Sequence, residues 1–153
     1  MIEEAMEILL VEDDPRDARL TVREIQAATK DTRIELARDG EEALDYLFRR
    51  GAYSDRAAGH PPGLILLDLK LPKVDGPEVL KEVKTNPTTR AIPVVVLTSS
   101  KEERDLVESY RLGVNSYIQK PVDFDQFRKT IASAGLYWIS VNQRPPLKAF
   151  ETG

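Results

Sequence analysis

The stretch Leu64-Ile65-Leu66-Leu67-Asp68 runs four apolar residues directly into one carboxylate. Short, continuous apolar runs are typical of strands that are buried on both faces, as in the centre of a parallel sheet. Asp68 would then lie at the carboxyl end of its strand, the edge where open α/β sheets bind ligands and carry out chemistry. The sequence therefore predicts that the functional site is built around Asp68.

Outward from this strand, apolar segments alternate with amphipathic ones along the chain. Strands are predicted at 6–11, 34–37, 64–67, 92–97 and 116–119. The first predicted helix starts at Pro15, the second spans 41–48, the third ends at Lys84, the fourth ends near Leu112, and the fifth runs from about Asp123 into the Trp138 region. Five βα units predict a flavodoxin-like (βα)5 fold, a three-layer α/β sandwich with a parallel sheet of strand order 2-1-3-4-5.

Two of these helices begin with recognisable capping signals. Asp14 stands before Pro15, which suits an N-cap followed by proline at the first helical position. We therefore interpret Asp14 as a cap rather than a metal ligand. Ser100 and Glu103 have the spacing of a capping box, which predicts the start of the fourth helix.

Composition limits the classes of protein to which this chain can belong. Its 153 residues fit one domain, assigned to 1–138, followed by an extension at 139–153. The chain has no cysteine, a net charge of −4 and no basic block, so neither thiolate metal sites nor nucleic-acid binding is expected. No apolar run is long enough for a membrane span, and the N-terminus lacks a basic signal region, so we expect no membrane association and a cytoplasmic location. His60 is interpreted as a loop residue.

Four of the five predicted strands end in polar residues that could act together. They are Glu12 with Asp13, Asp68, Thr98 and Lys120. Three carboxylates at one edge of a sheet repel one another, and a divalent cation relieves that repulsion. Mg²⁺ prefers such oxygen ligands, so we assign Asp13 and Asp68 as direct ligands, Glu12 through water, and the backbone carbonyl of Lys70 as a further ligand.

This set of residues matches the requirements of phosphoryl transfer. A carboxylate can act as a nucleophile and form an aspartyl-phosphate, and we interpret Asp68 as that phosphoryl acceptor. Transfer needs the charge on three phosphoryl oxygens to be neutralised. Mg²⁺ would hold one oxygen, the Lys120 ammonium a second, and the Thr98 hydroxyl with nearby backbone N–H groups a third.

At these residues the chain resembles the response-regulator receiver family of two-component signalling. The matching motifs are Ile-Leu-Leu-Val-Glu-Asp-Asp-Pro (8–15), Leu-Ile-Leu-Leu-Asp-Leu-Lys-Leu-Pro (64–72) with Asp75-Gly76, Val-Val-Val-Leu-Thr-Ser-Ser (94–100) and Tyr-Ile-Gln-Lys-Pro-Val (117–122). The resemblance implies a phosphoacceptor signalling protein rather than an enzyme, with a sensor histidine kinase as donor. It also implies that Thr98 and Tyr117 switch position on phosphorylation, and that the Lys120–Pro121 bond is cis.

The 49–62 segment and the tail around Trp138 resemble the single-domain regulators of phytochrome-type kinases. This narrower resemblance implies a bacteriophytochrome as kinase. It also implies dimerisation, through the face from the fourth to the fifth helix or through the extension, where Trp138 and Phe150 could cross to a partner subunit. The alternatives are that Trp138 packs on its own core and that the 49–62 segment is a tolerated surface insertion. Output through a protein contact and output through a phosphorelay are both open.

Three other functions compete with this interpretation. A phosphatase of the haloacid-dehalogenase type would use Asp-x-Asp on the first strand, where this chain has Glu12-Asp13-Asp14. A flavodoxin-type cofactor module needs free backbone N–H groups for phosphate at that place, and three acids would repel it. A receiver that is never phosphorylated and only docks a partner would not need the complete set of site residues.

Overall fold

The computed structural model describes residues 6–29, 31–56 and 61–151. Its five strands form one parallel sheet of order 2-1-3-4-5, which confirms the predicted topology. The strands are β1 (Glu7–Val11), β2 (Arg33–Ala37), β3 (Leu64–Leu67), β4 (Val94–Thr98) and β5 (Ser116–Gln119). The helices are α1 (Pro15–Ala28), α2 (Gly40–Phe48), α3 (Gly76–Thr85), α4 (Glu103–Arg111) and α5 (Phe124–Gly135).

The sheet is covered on both faces, which makes the predicted three layers. One hydrophobic core joins β1, β3 and β4 to α2 and α3, and a second joins the opposite face of these strands to α1 and α5. Every residue of β3 and β4 is buried, as their uninterrupted apolar runs predict. The edge strands β2 and β5 are only partly buried. The apolar runs therefore identify the central strands, whose carboxyl ends meet at one edge.

Helix starts follow the capping predictions in one case and depart from them in another. The Asp14 carboxylate accepts from the backbone N–H groups of Arg16 at 2.8 Å and Asp17 at 3.3 Å, which confirms it as the N-cap of α1. The predicted capping box of Ser100 and Glu103 is not formed, so that prediction is wrong. The N-cap of α4 is Glu102, whose side chain makes no capping hydrogen bond.

Ser100 instead joins the end of β4 to α4. Its hydroxyl accepts from the backbone N–H of Glu102 at 3.3 Å and donates to the Asp105 carboxylate at 2.5 Å. Ser100 is buried, and its bond to Asp105, the third residue of α4, ties the loop to the first turn of that helix. The spacing that suggested a capping box therefore reflects a different contact, made with Asp105.

The described part of the 49–62 segment is ordered against α2, although most of its residues are exposed. A single 3₁₀ turn spans Gly51–Tyr53, and the Tyr53 hydroxyl donates to Glu42 Oε1 at 2.9 Å. Arg56 donates to the Tyr46 carbonyl oxygen at 3.1 Å and places its guanidinium 4.1 Å from the ring centre. Tyr46 is buried, and its ring also makes an edge-to-face contact with Tyr53 of this segment. His60 lies outside the described residues, so its interpretation as a loop histidine stays a prediction.

The last helix continues past Gly135 in a different form. Residues Leu136–Val141 form a π-helical turn, so the helical path reaches and passes Trp138 as predicted. Trp138 packs against the core between α1 and α5, and Phe150 packs against the core on the opposite face. Within the described residues, no helix is long and apolar enough to cross a membrane.

Candidate functional site

The carboxyl ends of four strands bring the predicted residues to one edge of the sheet. Pairing of β1 with β3 puts Val11 beside Leu67, and the backbone N–H of Asp68 donates to the Val11 carbonyl oxygen at 3.1 Å. On the other side, the backbone N–H of Lys120 donates to the Thr98 carbonyl oxygen at 2.7 Å. The strand register therefore positions Asp68 between the residues that end β1 and those that end β4 and β5.

Glu12, Asp13 and Asp68 converge at this edge. Each offers one carboxylate oxygen, and these oxygens lie within 4.8 Å of one another. Glu12 and Asp68 are buried, whereas Asp13 is exposed. Glu12 Oε2 is buried and has no hydrogen-bond partner among the residues that the structure describes. An acceptor without a donor, beside two further carboxylates, fits a small divalent cation that is ligated by oxygen.

The Lys120 ammonium lies in the middle of the site. It donates to Glu12 Oε1, to Asp68 Oδ2 at 3.0 Å and to Asp17 Oδ2 at 2.9 Å. All three donors of this ammonium are therefore used, and its side chain is only 7% exposed. The sequence interpretation missed Asp17. The available signal was an acid in the first turn of the helix that follows the acidic pair.

Burial and neighbouring charge separate the protonation states of these groups. Burial, together with the neighbouring Asp68 carboxylate, raises the pKa of Glu12 to about 9. Burial alone would raise the pKa of Asp68, but the neighbouring Glu12 carboxyl group and the Lys120 charge hold it below its ordinary value. Burial acts to lower the pKa of Lys120, and the surrounding carboxylates outweigh it and raise that pKa. Without a cation, Asp68 is therefore an anion, Lys120 is a cation, and Glu12 carries a proton.

Thr98 and Tyr117 lie on the β4–β5 side of the site. Thr98 is fully buried, and its hydroxyl oxygen accepts from the Ser100 backbone N–H at 3.3 Å. The Thr98 hydroxyl is close enough to Asp68 to lower the pKa of that carboxyl group. The Tyr117 hydroxyl is buried without a hydrogen-bond partner in the described residues, and burial raises the pKa of Tyr117. A buried hydroxyl without a partner costs free energy in the folded state.

Two further predictions concern the backbone near the site, at Lys70 and at the Lys120–Pro121 bond. The structure brings the backbone N–H of Lys70 to Asp68 Oδ1 at 3.4 Å, and the role of the Lys70 carbonyl as a metal ligand stays a prediction. The expected cis bond between Lys120 and Pro121 is wrong, since the described chain contains no cis peptide bond. Lys120 reaches the carboxylates with a trans bond after it.

Comparison with known proteins found a matching family model and several similar solved structures. The family model for the response regulator receiver domain matches residues 8–132. The response regulator Rcp1 of Synechocystis sp. is 41% identical over 138 residues, which cover 90% of this chain and 92% of Rcp1. The crystal structure of the Mn²⁺-bound form of Rcp1 superposes with a TM-score of 0.86 at 40% identity, covering 92% of this chain and 99% of that one.

Two further solved structures are similar to this chain. The phosphorylated cyanobacterial phytochrome response regulator RcpA has a TM-score of 0.87 and 41% identity, and the match covers 93% of this chain and 99% of RcpA. The bacteriophytochrome response regulator AtBRR is 49% identical with a TM-score of 0.72, and the match covers 94% of this chain and 99% of AtBRR. The first of these proteins is phosphorylated, and both are named as regulators in phytochrome signalling.

Proposed function

Because this chain belongs to the response regulator receiver domain family, we propose that it is a single-domain regulator whose Asp68 accepts a phosphoryl group from a sensor histidine kinase. The observation that carries the proposal is the Lys120 ammonium, which donates to both Asp68 and Glu12 where three carboxylates converge. An acidic cluster alone would suit many cations. An added buried ammonium supplies the second positive group that a phosphoryl acceptor needs.

In the proposed reaction, a carboxylate oxygen of Asp68 attacks the phosphorus of a phosphohistidine. The O–P bond forms as the P–N bond breaks, and the electron pair of that bond stays on the imidazole nitrogen. Lys120 neutralises one phosphoryl oxygen, and the Thr98 hydroxyl donates to another. Mg²⁺, when held by Glu12, Asp13, Asp68 and the Lys70 carbonyl, would neutralise the charge of a third oxygen.

The metal proposal is supported by the chemistry of the donors. Three carboxylates and a carbonyl are hard oxygen ligands of the kind that Mg²⁺ takes, and Glu12 Oε2 is a buried acceptor in need of a partner. The Mn²⁺-bound form of Rcp1 adds support, since Mn²⁺ accepts the same class of ligands. We propose Mg²⁺ as the working ion.

The signal would leave the site through Thr98 and Tyr117. Thr98 moves toward the new phosphoryl oxygens and Tyr117 follows it, which shifts a pre-existing equilibrium of the surface formed by α4, β5 and α5. This surface exposes large apolar side chains, namely Leu106, Val107, Tyr110, Val122 and Phe124. We propose it as the output surface, for a downstream protein contact or a phosphorelay.

The partners follow from the named relatives and the exposed apolar surfaces. RcpA and AtBRR are phytochrome regulators, so we propose a bacteriophytochrome as the kinase and the cytoplasm as the location. We propose a homodimer through the face from α4 to α5 or through the extension, which exposes Val141 and Leu147. The receiver domain would then end at 138 and residues 139–153 would form the extension.

The competing phosphatase function has a specific difficulty in this structure. The acid/base residue of an Asp-x-Asp pair would have to come from the end of β1, where Asp14 is the available carboxylate. Asp14 is committed to the backbone N–H groups that start α1. This favours a protein that accepts a phosphoryl group over one that turns over phosphomonoesters.

The test of this function is the intact mass after incubation with Mg²⁺ and acetyl phosphate. We expect one phosphate on the wild type, none on Asp68→Asn, and none in the presence of a chelator. Asp125→Asn is a matched control, since Asp125 is exposed in the first turn of α5, and it should be phosphorylated like the wild type. A wild type without added phosphate would overturn the proposal in favour of a receiver that only docks a partner.

A further inference from the structure

Lys120 has one carboxylate partner that lies outside the cation cluster. Glu12 and Asp68 each contribute an oxygen to that cluster, whereas Asp17, the third partner of the ammonium, does not. The Nζ to Oδ2 distance is 2.9 Å for Asp17 and 3.0 Å for Asp68, so the contact to Asp17 is as close as the contact to the proposed acceptor. Asp17 can therefore keep its contact with Lys120 when Glu12 and Asp68 are engaged by a cation.

A bound cation would compete with the ammonium for the same two carboxylates. Both are positive, both need the electron density of Glu12 and Asp68, and both lie in a largely buried site where like charges repel strongly. Another negative group must then balance the charge of the ammonium, or the ammonium opposes cation binding. Within the described residues, Asp17 is the carboxylate that already contacts Lys120 and remains available to it.

The backbone of α1 holds Asp17 in position for this contact. The Asp17 N–H donates to Asp14 Oδ1 at 3.3 Å, and the Thr21 hydroxyl donates to the Asp17 carbonyl oxygen at 2.8 Å. Both bonds lie in the first two turns of α1, so the first turn, from which the carboxylate projects, is fixed by the cap. The Asp17 side chain is 31% exposed, compared with 7% for Lys120, so it approaches the ammonium from the solvent side of the site.

We propose that Asp17 is a positioning residue that anchors the Lys120 ammonium on the α1 side of the site, so that a divalent cation and the ammonium can be held there together. The proposal rests on the cation site of the proposed function and not on phosphorylation itself. Without Asp17, the ammonium keeps only Glu12 and Asp68 as partners, and it becomes a stronger competitor of the cation. Asp17 thus sets the affinity of the site for the cation through Lys120.

The simpler role for Asp17 is that of an acid at a helix start, where a negative charge stabilises the helix dipole. That role predicts an effect on thermal stability and a cation affinity that does not depend on Lys120. The positioning role predicts an effect on cation affinity that disappears when the ammonium is removed. A double-mutant cycle therefore separates the two roles.

The experiment is calorimetric titration of the full chain with Mn²⁺, in the wild type, Asp17→Asn, Lys120→Met and the double variant. We expect Asp17→Asn to weaken Mn²⁺ binding about fivefold in the wild-type background, the scale of a partly exposed ion pair. We expect a change of less than about twofold in the Lys120→Met background, because no ammonium is left to compete. Equal weakening in both backgrounds would overturn the proposal, as would no weakening in the wild-type background.

Glu24→Gln is the matched control. Glu24 lies on the same helix and forms one ion pair, to Arg128 at 2.9 Å, so the substitution removes the same charge and the same number of partners away from Lys120. Its Mn²⁺ affinity should stay within about twofold of the wild type. Asp17→Ser, which keeps a polar side chain at the helix start, replaces Asp17→Asn if that variant fails to fold. A chain that shows the coupling but is not phosphorylated would refute the proposed function and leave this inference standing.

Discussion

At the scale of single residues, the proton on Glu12 connects the electrostatics of the site to cation binding. Glu12 is buried beside Asp68, and this raises its pKa to about 9, so it is protonated at neutral pH when no cation is present. A carboxyl group must lose its proton to ligate a cation. Cation binding at this site should therefore release a proton, and the raised pKa determines the pH range in which it does so.

We predict that the apparent Mg²⁺ affinity rises as the pH increases toward about 9 and then levels off. The sign follows because the free protein holds a proton below that pKa and the cation-bound protein does not. The slope should approach about tenfold per pH unit, which corresponds to one proton released. Titration calorimetry in buffers of different ionisation enthalpy measures both the affinity and the proton count.

Asp125→Asn is the control for this pH dependence, since it removes an exposed carboxylate outside the site and should keep the wild-type profile. An affinity independent of pH, with no proton released by the wild type, would contradict the assignment of the proton to Glu12.

At the scale of the elements, two helical glycines have opposite surroundings. A Cβ atom on Gly135, near the end of α5, would lie 3.7 Å from Ile25 Cγ1, an ordinary contact beside a small apolar void of about 20 Å³. A Cβ atom on Gly76, at the start of α3, would lie 2.4 Å from the Leu69 Cα atom. There is space for a methyl group at Gly135. There is none at Gly76, where α3 lies against the loop that follows Asp68.

We predict that Gly135→Ala stabilises the protein and that Gly76→Ala destabilises it. Alanine reduces the entropy of the unfolded chain without strain at Gly135, which should add about 0.4–1 kcal/mol to the free energy of unfolding. At Gly76 the backbone of the Asp68 loop would have to move, at a cost of about 1–3 kcal/mol. Urea unfolding of both variants measures the difference. The same sign for both variants would show that local crowding does not decide the outcome.

At the scale of the whole molecule, the proposed cation site joins elements that are far apart in the chain. The carboxylates of the acidic cluster follow β1 and β3, and Lys120 follows β5, so the unfolded chain cannot present them together. A ligand that binds only the folded state stabilises it by mass action. A bound cation should therefore stabilise the folded state by holding together residues that follow different strands of the sheet.

We predict that Mg²⁺ raises the melting temperature. At ten times its dissociation constant, the ion should stabilise the fold by about 1.4 kcal/mol. For a chain of this size, that corresponds to an increase of roughly 3–6 °C. Scanning calorimetry with and without Mg²⁺ measures the shift. Asp13→Asn, which removes the exposed carboxylate of the acidic cluster, should abolish most of this increase, and an equal increase in that variant would place the ion elsewhere.

The sequence alone determined the sheet, its strand order and the polar residues that gather at the carboxyl edge of the strands. Continuous apolar runs identify β3 and β4 as central strands, and the carboxyl ends of parallel strands must meet at one edge. The polar residue that ends each run therefore belongs to one site, wherever it stands in the chain. The role of Asp14 as an N-cap could also be predicted from the sequence, because a cap depends only on residues next to it in the chain.

The tertiary structure alone decided which side chains share a charge or a hydrogen bond. Asp17 and Lys120 are 103 positions apart, and their contact depends on how α1 packs beside α5, which follows Lys120 in the chain. Ser100 bonds to Asp105 rather than completing a cap with Glu103, and Tyr117 holds a buried hydroxyl without a partner among the described residues. Periodicity records which face of an element is apolar. The partner of a polar side chain depends on distances between elements, and only packing sets those distances.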